Sequence, residues 1–142
     1  MENLEEGILN KNIAALARMV TLNESTRLED NIIADRFIEQ QQGKLNNSLV
    51  LSISGIPGVG KSSFIEALGV YLHSLGYSIA VFSIDPSSEL TQGSILGDKT
   101  RMTELSSLDH VFIRPSPSSN RLGGLGINTH KNIELAKLAG YD

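Results

Sequence analysis

Ile8, Leu9, Ile13, Leu16, Met19 and Val20 recur at helical spacing, and so do Leu28, Ile32, Ile33 and Phe37. The spacing predicts an amphipathic helical pair, the second helix opened by a capping box of Thr26 and Glu29. Such stripes ordinarily serve as core or as a contact between copies. A polar stretch from Gln40 through Gly43 to Ser48 then marks a connection, which divides the chain into a helical segment, 1–45, and a second part, 46–142. Within that second part the pattern alternates. An apolar run predicts a strand at 48–54, helical periodicity follows over 61–75, and a second strand spans 78–84. After a long polar stretch come a short strand near 110–114 and a helix over 129–139. Alternation of strands and helices predicts an α/β fold with a parallel sheet and helices on both faces.

Between the first strand and the first helix of this part lies Gly55-Ile56-Pro57-Gly58-Val59-Gly60-Lys61-Ser62-Ser63. This is the spacing of a phosphate-binding loop, in the strand-to-helix position such loops occupy. Glycines allow the torsions by which successive N–H groups converge on an anion. Lys61 has the reach for β and γ phosphates, Ser62 has a hydroxyl for Mg²⁺, and the helix beyond aims its positive end at the same oxygens.

Asp85 closes the second strand at the sheet edge where open α/β folds bind ligands, which makes it a candidate Mg²⁺ or water ligand; it can equally form the turn before Pro86. The polar segment that follows contains Gly97-Asp98-Lys99-Thr100-Arg101. Asp98 is a candidate for holding Mg²⁺ through water or orienting an attacking water, and Lys99 or Arg101 for offsetting developing charge; a solvated loop is the alternative. Residues 115–126 form a second loop of small residues, readable as a connector. His73, His110 and His130 are scattered without metal-ligand spacing and read as surface histidines.

Composition narrows the partners. The 142 residues are 40% hydrophobic and 20% charged with a net charge of −4, which suits a globular chain and argues against nonspecific nucleic-acid or anionic-membrane binding. The acidic start lacks the basic region of a signal peptide, and no apolar run approaches the roughly 20 residues that span a bilayer. A cytoplasmic location is expected. The absence of cysteine excludes disulfides and thiolate metal sites.

The runs GIPGVGKSSFIEALG, FSIDPSSELTQGSILGDKTRM and FIRPSPSSNRLGGL, with AALARMVTLNES upstream, resemble the ArgK/MeaB group of P-loop GTPases, chaperones of cobalamin-dependent methylmalonyl-CoA mutase. The resemblance extends from about residue 10 to residue 142, and its most specific block is SILGDKTRM. It implies a P-loop sheet, GTP as substrate with Mg²⁺ as cofactor, a cobalamin-dependent acyl-CoA mutase as partner, and a homodimer in the full-length form. It also implies nucleotide contacts from Gly55, Pro57, Gly58, Val59, Gly60, Lys61, Ser62 and Ser63, and metal contacts from Ser62, Asp85 and Asp98. Lys61 and Asp98 take the catalytic positions. Family members continue past Asp142 into the switch II strand, the guanine-reading motif and a dimerisation region. That strand lies between the phosphate-loop strand and the one ending at Asp85, so a truncated sheet with a central gap is expected. Two other readings stand beside the GTPase: a nucleotide- or partner-binding fragment without turnover, and an ATP-using transport-associated ATPase or kinase.

Overall fold

The computed structural model describes residues 2–44, 47–85, 102–117 and 127–142. They fall into two compact units, one of residues 1–47 with 119–141 and one of residues 48–118 with Asp142.

The first unit is helical, with α1 (Glu2–Leu9), α2 (Ile13–Asn23), α3 (Leu28–Gln41), a 3-10 turn at Gln42–Lys44 and α6 (Ile127–Leu138). Here the expected pair becomes three helices, because the periodic run from Ile8 to Val20 is broken at Asn10–Asn12. Lys11 adopts φ 60°, and Asn12 caps α2 by accepting from the N–H groups of Ala14 and Ala15 at 2.9 and 3.1 Å. Gly7 lets α1 approach α2, since a Cβ there would stand 2.8 Å from Ala15 Cβ. The start of α3 is closed by bonds through Ser25, whose hydroxyl donates to Asp30 and accepts from the Arg27 N–H.

Helix α2 packs against α1, α3 and α6, with Leu16, Met19, Val20, Phe37 and Leu135 fully buried. Two asparagines are buried with them. Asn23 Nδ2 donates to Asn128 O at 2.9 Å and to Asn132 Oδ1 at 2.8 Å, while Asn132 Nδ2 donates to Glu24 at 2.9 Å. Buried amides without such partners would cost about 1–3 kcal/mol each, so the pairing fixes how α6 meets the end of α2. Beyond α6, Gly140 at φ 78° and the bonds Gly140 N–H to Lys137 O and Tyr141 N–H to Ala136 O complete a Schellman turn.

The second unit holds α4 (Lys61–Ser74), β1 (Ile79–Asp85), α5 (Thr103–Ser106) and β2 (Val111–Pro117). The two strands pair in parallel, Ile79 opposite Val111 through Asp85 opposite Pro117. Period-2 alternation puts Ile79, Val81, Val111 and Ile113 on one face. There they pack with Ile65 and Val70 of α4 and with Met102 and Leu105 at α5. On the opposite face Phe82 and Phe112 meet edge to face at 5.8 Å.

The apolar run 48–54 departs from expectation, since it forms no strand. Its apolar side chains are exposed, Leu49 by 76% and Leu51 by 56%. The reason is visible in the backbone. Leu49 N–H donates to Asp142 O at 2.7 Å, and Asp142 N–H donates to Ser78 O at 3.0 Å just before β1. Asp142, the last residue of the sequence, thus stands between the run and β1. From Val50 to Ile53 the run has no described strand alongside it. A sheet-forming sequence without a ladder partner stays irregular.

Candidate functional site

The glycine-rich loop turns into α4 as its sequence requires. Gly58 and Gly60 adopt φ 79° and 98°, left-handed values that residues with a Cβ resist, and open space surrounds both. Gly55 is needed for a different reason: a Cβ would stand 3.1 Å from Val59 Cγ1. The helical ladder starts with Phe64 N–H donating to Gly60 O at 2.9 Å. The N–H groups of Lys61, Ser62 and Ser63 precede it and have no acceptor within the helix, and Gly60 supplies no side-chain cap. The helix therefore begins with unsatisfied donors and the positive end of its dipole directed at the loop.

Lys61 crosses the loop. Its ammonium donates to the carbonyls of Gly55 at 2.9 Å and Ile56 at 3.0 Å. Both acceptors are neutral backbone groups and the contact is exposed, so an anionic oxygen, which forms the stronger charge-assisted bond, can replace them.

The chain reverses at Leu75–Ser78, where Gly76 and Tyr77 close α4 by donating to His73 O and Leu72 O. Helix α4, about 21 Å long, and β1, about 23 Å, are nearly matched in length. Asp85 is the final residue of β1. Asp98, Lys99 and Arg101 lie outside the described residues. Among the described residues no three His, Cys, Asp or Glu side chains gather as a metal cluster. A loop of this kind does not require one: Mg²⁺ keeps most of its water and is shared between one or two protein groups and the phosphates. Ser62, on the first turn of α4, fits that role.

Glu66, which the motif does not include, also belongs to this neighbourhood. It lies four residues beyond Ser62 on α4 and accepts from the Glu104 N–H at 2.9 Å. The i, i+4 spacing from Ser62 was its signal in the sequence. Of the three histidines, His73 makes a bond to the Asp109 carbonyl at 2.8 Å and His130 lies 3.6 Å from Glu134.

The family model for the methylmalonyl Co-A mutase-associated GTPase MeaB matches residues 16–142. The chain belongs to the MeaB family. GTPase ArgK of Escherichia coli is 43% identical over 129 residues, covering 91% of this chain and 39% of that protein. The mitochondrial methylmalonic aciduria type A homolog of Caenorhabditis elegans is 41% identical over 153 residues, covering all of this chain and 38% of the relative. Among solved structures, the one titled LAO/AO transport system kinase superposes with a TM-score of 0.78 at 28% identity, over 99% of this chain and 40% of that one. The chain thus spans about two fifths of the length of these MeaB-family relatives. Among its described residues no helix is long and apolar enough to cross a membrane.

Proposed function

We propose that this chain is the phosphate-binding, N-terminal part of a GTP-hydrolysing chaperone that assists a cobalamin-dependent acyl-CoA mutase. The observation that carries the reading is the loop itself: Lys61 folded back onto the carbonyls of Gly55 and Ile56 above an uncapped helix start, in a chain of the MeaB family. Nucleotide phosphates exchange those carbonyl bonds for charge-assisted ones, and the backbone from Gly55 through Gly60, with Pro57 and Val59 shaping the turn, lines them. The free N–H groups of Lys61, Ser62 and Ser63 add donors on the same side. Ser62 contributes one oxygen to Mg²⁺, and Asp85 and Asp98 hold its waters or the attacking water. Lys61 offsets charge that develops as the γ-phosphoryl group leaves.

In full length the protein works as a homodimer. Isothermal titration with Mg-GTP and Mg-ATP tests the reading. Micromolar binding that EDTA abolishes and Lys61→Ala weakens supports it, and no binding of either nucleotide sinks it.

A second reading has its own support. The solved relative is titled a transport system kinase, and phosphate loops grip triphosphates without reading the base. Preference for ATP in the same titrations would favour it. A third, nucleotide or partner binding without turnover, predicts tight Mg-GTP binding with no phosphate release.

A further inference from the structure

Ser62, Glu66, Gly69 and His73 fall at i, i+4, i+7 and i+11 of α4, spacing that puts them on one face of the helix. Three of the four grip the segment 103–109. Glu66 Oε1 accepts from the Glu104 N–H at 2.9 Å. Gly69 makes room for Leu105, whose Cδ2 would stand 2.7 Å from a Cβ at that position. His73 Nε2 donates to Asp109 O at 2.8 Å. The contacts run in order, so the start of α5 sits toward the Ser62 end of α4 and its far turn toward the end of the helix. Ser62 is the fourth residue of the stripe and the one facing the phosphate loop.

The Glu66 bond has features that a purely structural cap does not require. Helix α5 has only four residues and its N-cap, Met102, supplies no side-chain bond. The donor at its start is satisfied by a carboxylate from another helix. That carboxylate is one helical turn from Ser62, so a shift of the first turn of α4 moves the acceptor. Met102 and Leu105 are essentially buried, 1% and 0% exposed, so α5 moves with its anchor rather than sliding over it. In sequence, α5 also follows the stretch that contains Asp98.

We propose that Glu66 is a positioning residue that couples the phosphate loop to α5: nucleotide at Lys61 and Ser62 stiffens the first turn of α4, and the Glu66 to Glu104 bond passes that order to residues 103–109. The proposal rests on the nucleotide-binding reading. Coupling is reciprocal, so a well-held α5 favours nucleotide as much as nucleotide favours α5.

Hydrogen exchange of the 142-residue chain with and without Mg-GTP, combined with titration calorimetry, tests it in wild type, Glu66→Ala and Glu66→Gln. In wild type the amides of residues 103–109 exchange more slowly when Mg-GTP is bound. Glu66→Ala abolishes that nucleotide-dependent difference and weakens Mg-GTP binding about fivefold or more, the lower range of ordinary coupling energies. Glu66→Gln keeps an acceptor oxygen at the same reach and restores both. If Glu66→Ala does not fold, Glu66→Asp, one methylene short of the Glu104 amide, carries the same expectations. A Glu66→Ala protein that melts lower yet keeps the wild-type affinity and nucleotide-dependent protection reduces Glu66 to a cap and overturns the proposal alone. A wild-type chain that binds no Mg-GTP overturns the nucleotide reading, and this proposal with it.

Discussion

The Lys61 ammonium donates to the Gly55 carbonyl at 2.9 Å, so the cation that is to meet phosphate is held in place beforehand by the loop it belongs to. The bond spans the five residues between them and draws the two ends of the loop together. It is solvent-exposed and its acceptor is neutral, which keeps it weaker than a bond to phosphate oxygen.

Removing this side chain therefore affects binding more than folding. Charge-assisted hydrogen bonds contribute about 1.5–3 kcal/mol, so Lys61→Ala should weaken Mg-GTP binding by about one to two decades. Its thermal midpoint should move little, because only exposed contacts are lost. Titration calorimetry and a melting curve on the same sample check both halves. An affinity equal to wild type would show that the loop amides alone hold the phosphates.

Gly60 stands at φ 98° immediately before α4. Open space around it means that an added methyl group meets no neighbour, so the cost of Gly60→Ala is purely one of backbone conformation, about 1–2 kcal/mol. The variant can relieve that strain by rotating the loop out of its turn, which scatters the N–H groups ahead of Phe64. Nucleotide affinity should fall while the α4 helix signal in circular dichroism persists. Unchanged affinity would mean that the loop tolerates another backbone path.

Much of this arrangement was legible in the sequence, and the part that was not has physical causes. The loop from Gly55 to Ser63, helix α4 and strands β1 and β2 followed from spacing that local torsions and one-sided burial enforce. The run 48–54 has equally strong strand composition, yet composition states only that a pleated, half-buried surface would suit it. Pairing depends on a neighbour, and among the described residues no strand lies alongside Val50 to Ile53. The break at Asn10–Asn12 was signalled by two asparagines, but the apolar periodicity of Ile8 to Val20 runs through it and conceals it. Contacts such as Asn23 with Asn132, 109 positions apart, leave no local trace because each asparagine alone reads as a surface or turn residue. Asp85 was placed at the strand end as expected, whereas Asp98 lies outside the described residues.

Gly69 and Leu105 should behave as one energetic unit. A methyl group at Gly69 overlaps both Leu105 methyl carbons, at 2.7 and 2.8 Å, and Leu105 is fully buried and so has little room to yield. Overpacking of this kind costs about 1–3 kcal/mol, offset by the roughly 1 kcal/mol that Ala gains over Gly inside a helix. Gly69→Ala alone should thus be neutral to moderately destabilising. In a Leu105→Ala background the clash is gone and the same substitution should stabilise. A double-mutant cycle from urea melts should return a coupling of at least about 1 kcal/mol, and additivity within experimental error would contradict the close approach.

Tyr141, buried at the last position of the Schellman turn of α6, gives the fold a dependence on alkaline pH. Burial pushes its phenol above the ordinary value near 10, because the phenolate loses more hydration than the neutral group. In the unfolded chain the same phenol ionises at about 10. Above that pH the unfolded state gives up a proton that the folded state retains, so the unfolded form is favoured as pH rises. The stability contributed by neutral, buried Tyr141 is thus fully present below about pH 10 and is lost as pH climbs toward its folded value. Tyr141→Phe removes the ionisation while keeping the ring. Its melting temperature should decline less than that of wild type between about pH 9 and pH 11. Parallel curves for the two proteins across that window would show that Tyr141 titrates alike in the folded and unfolded states.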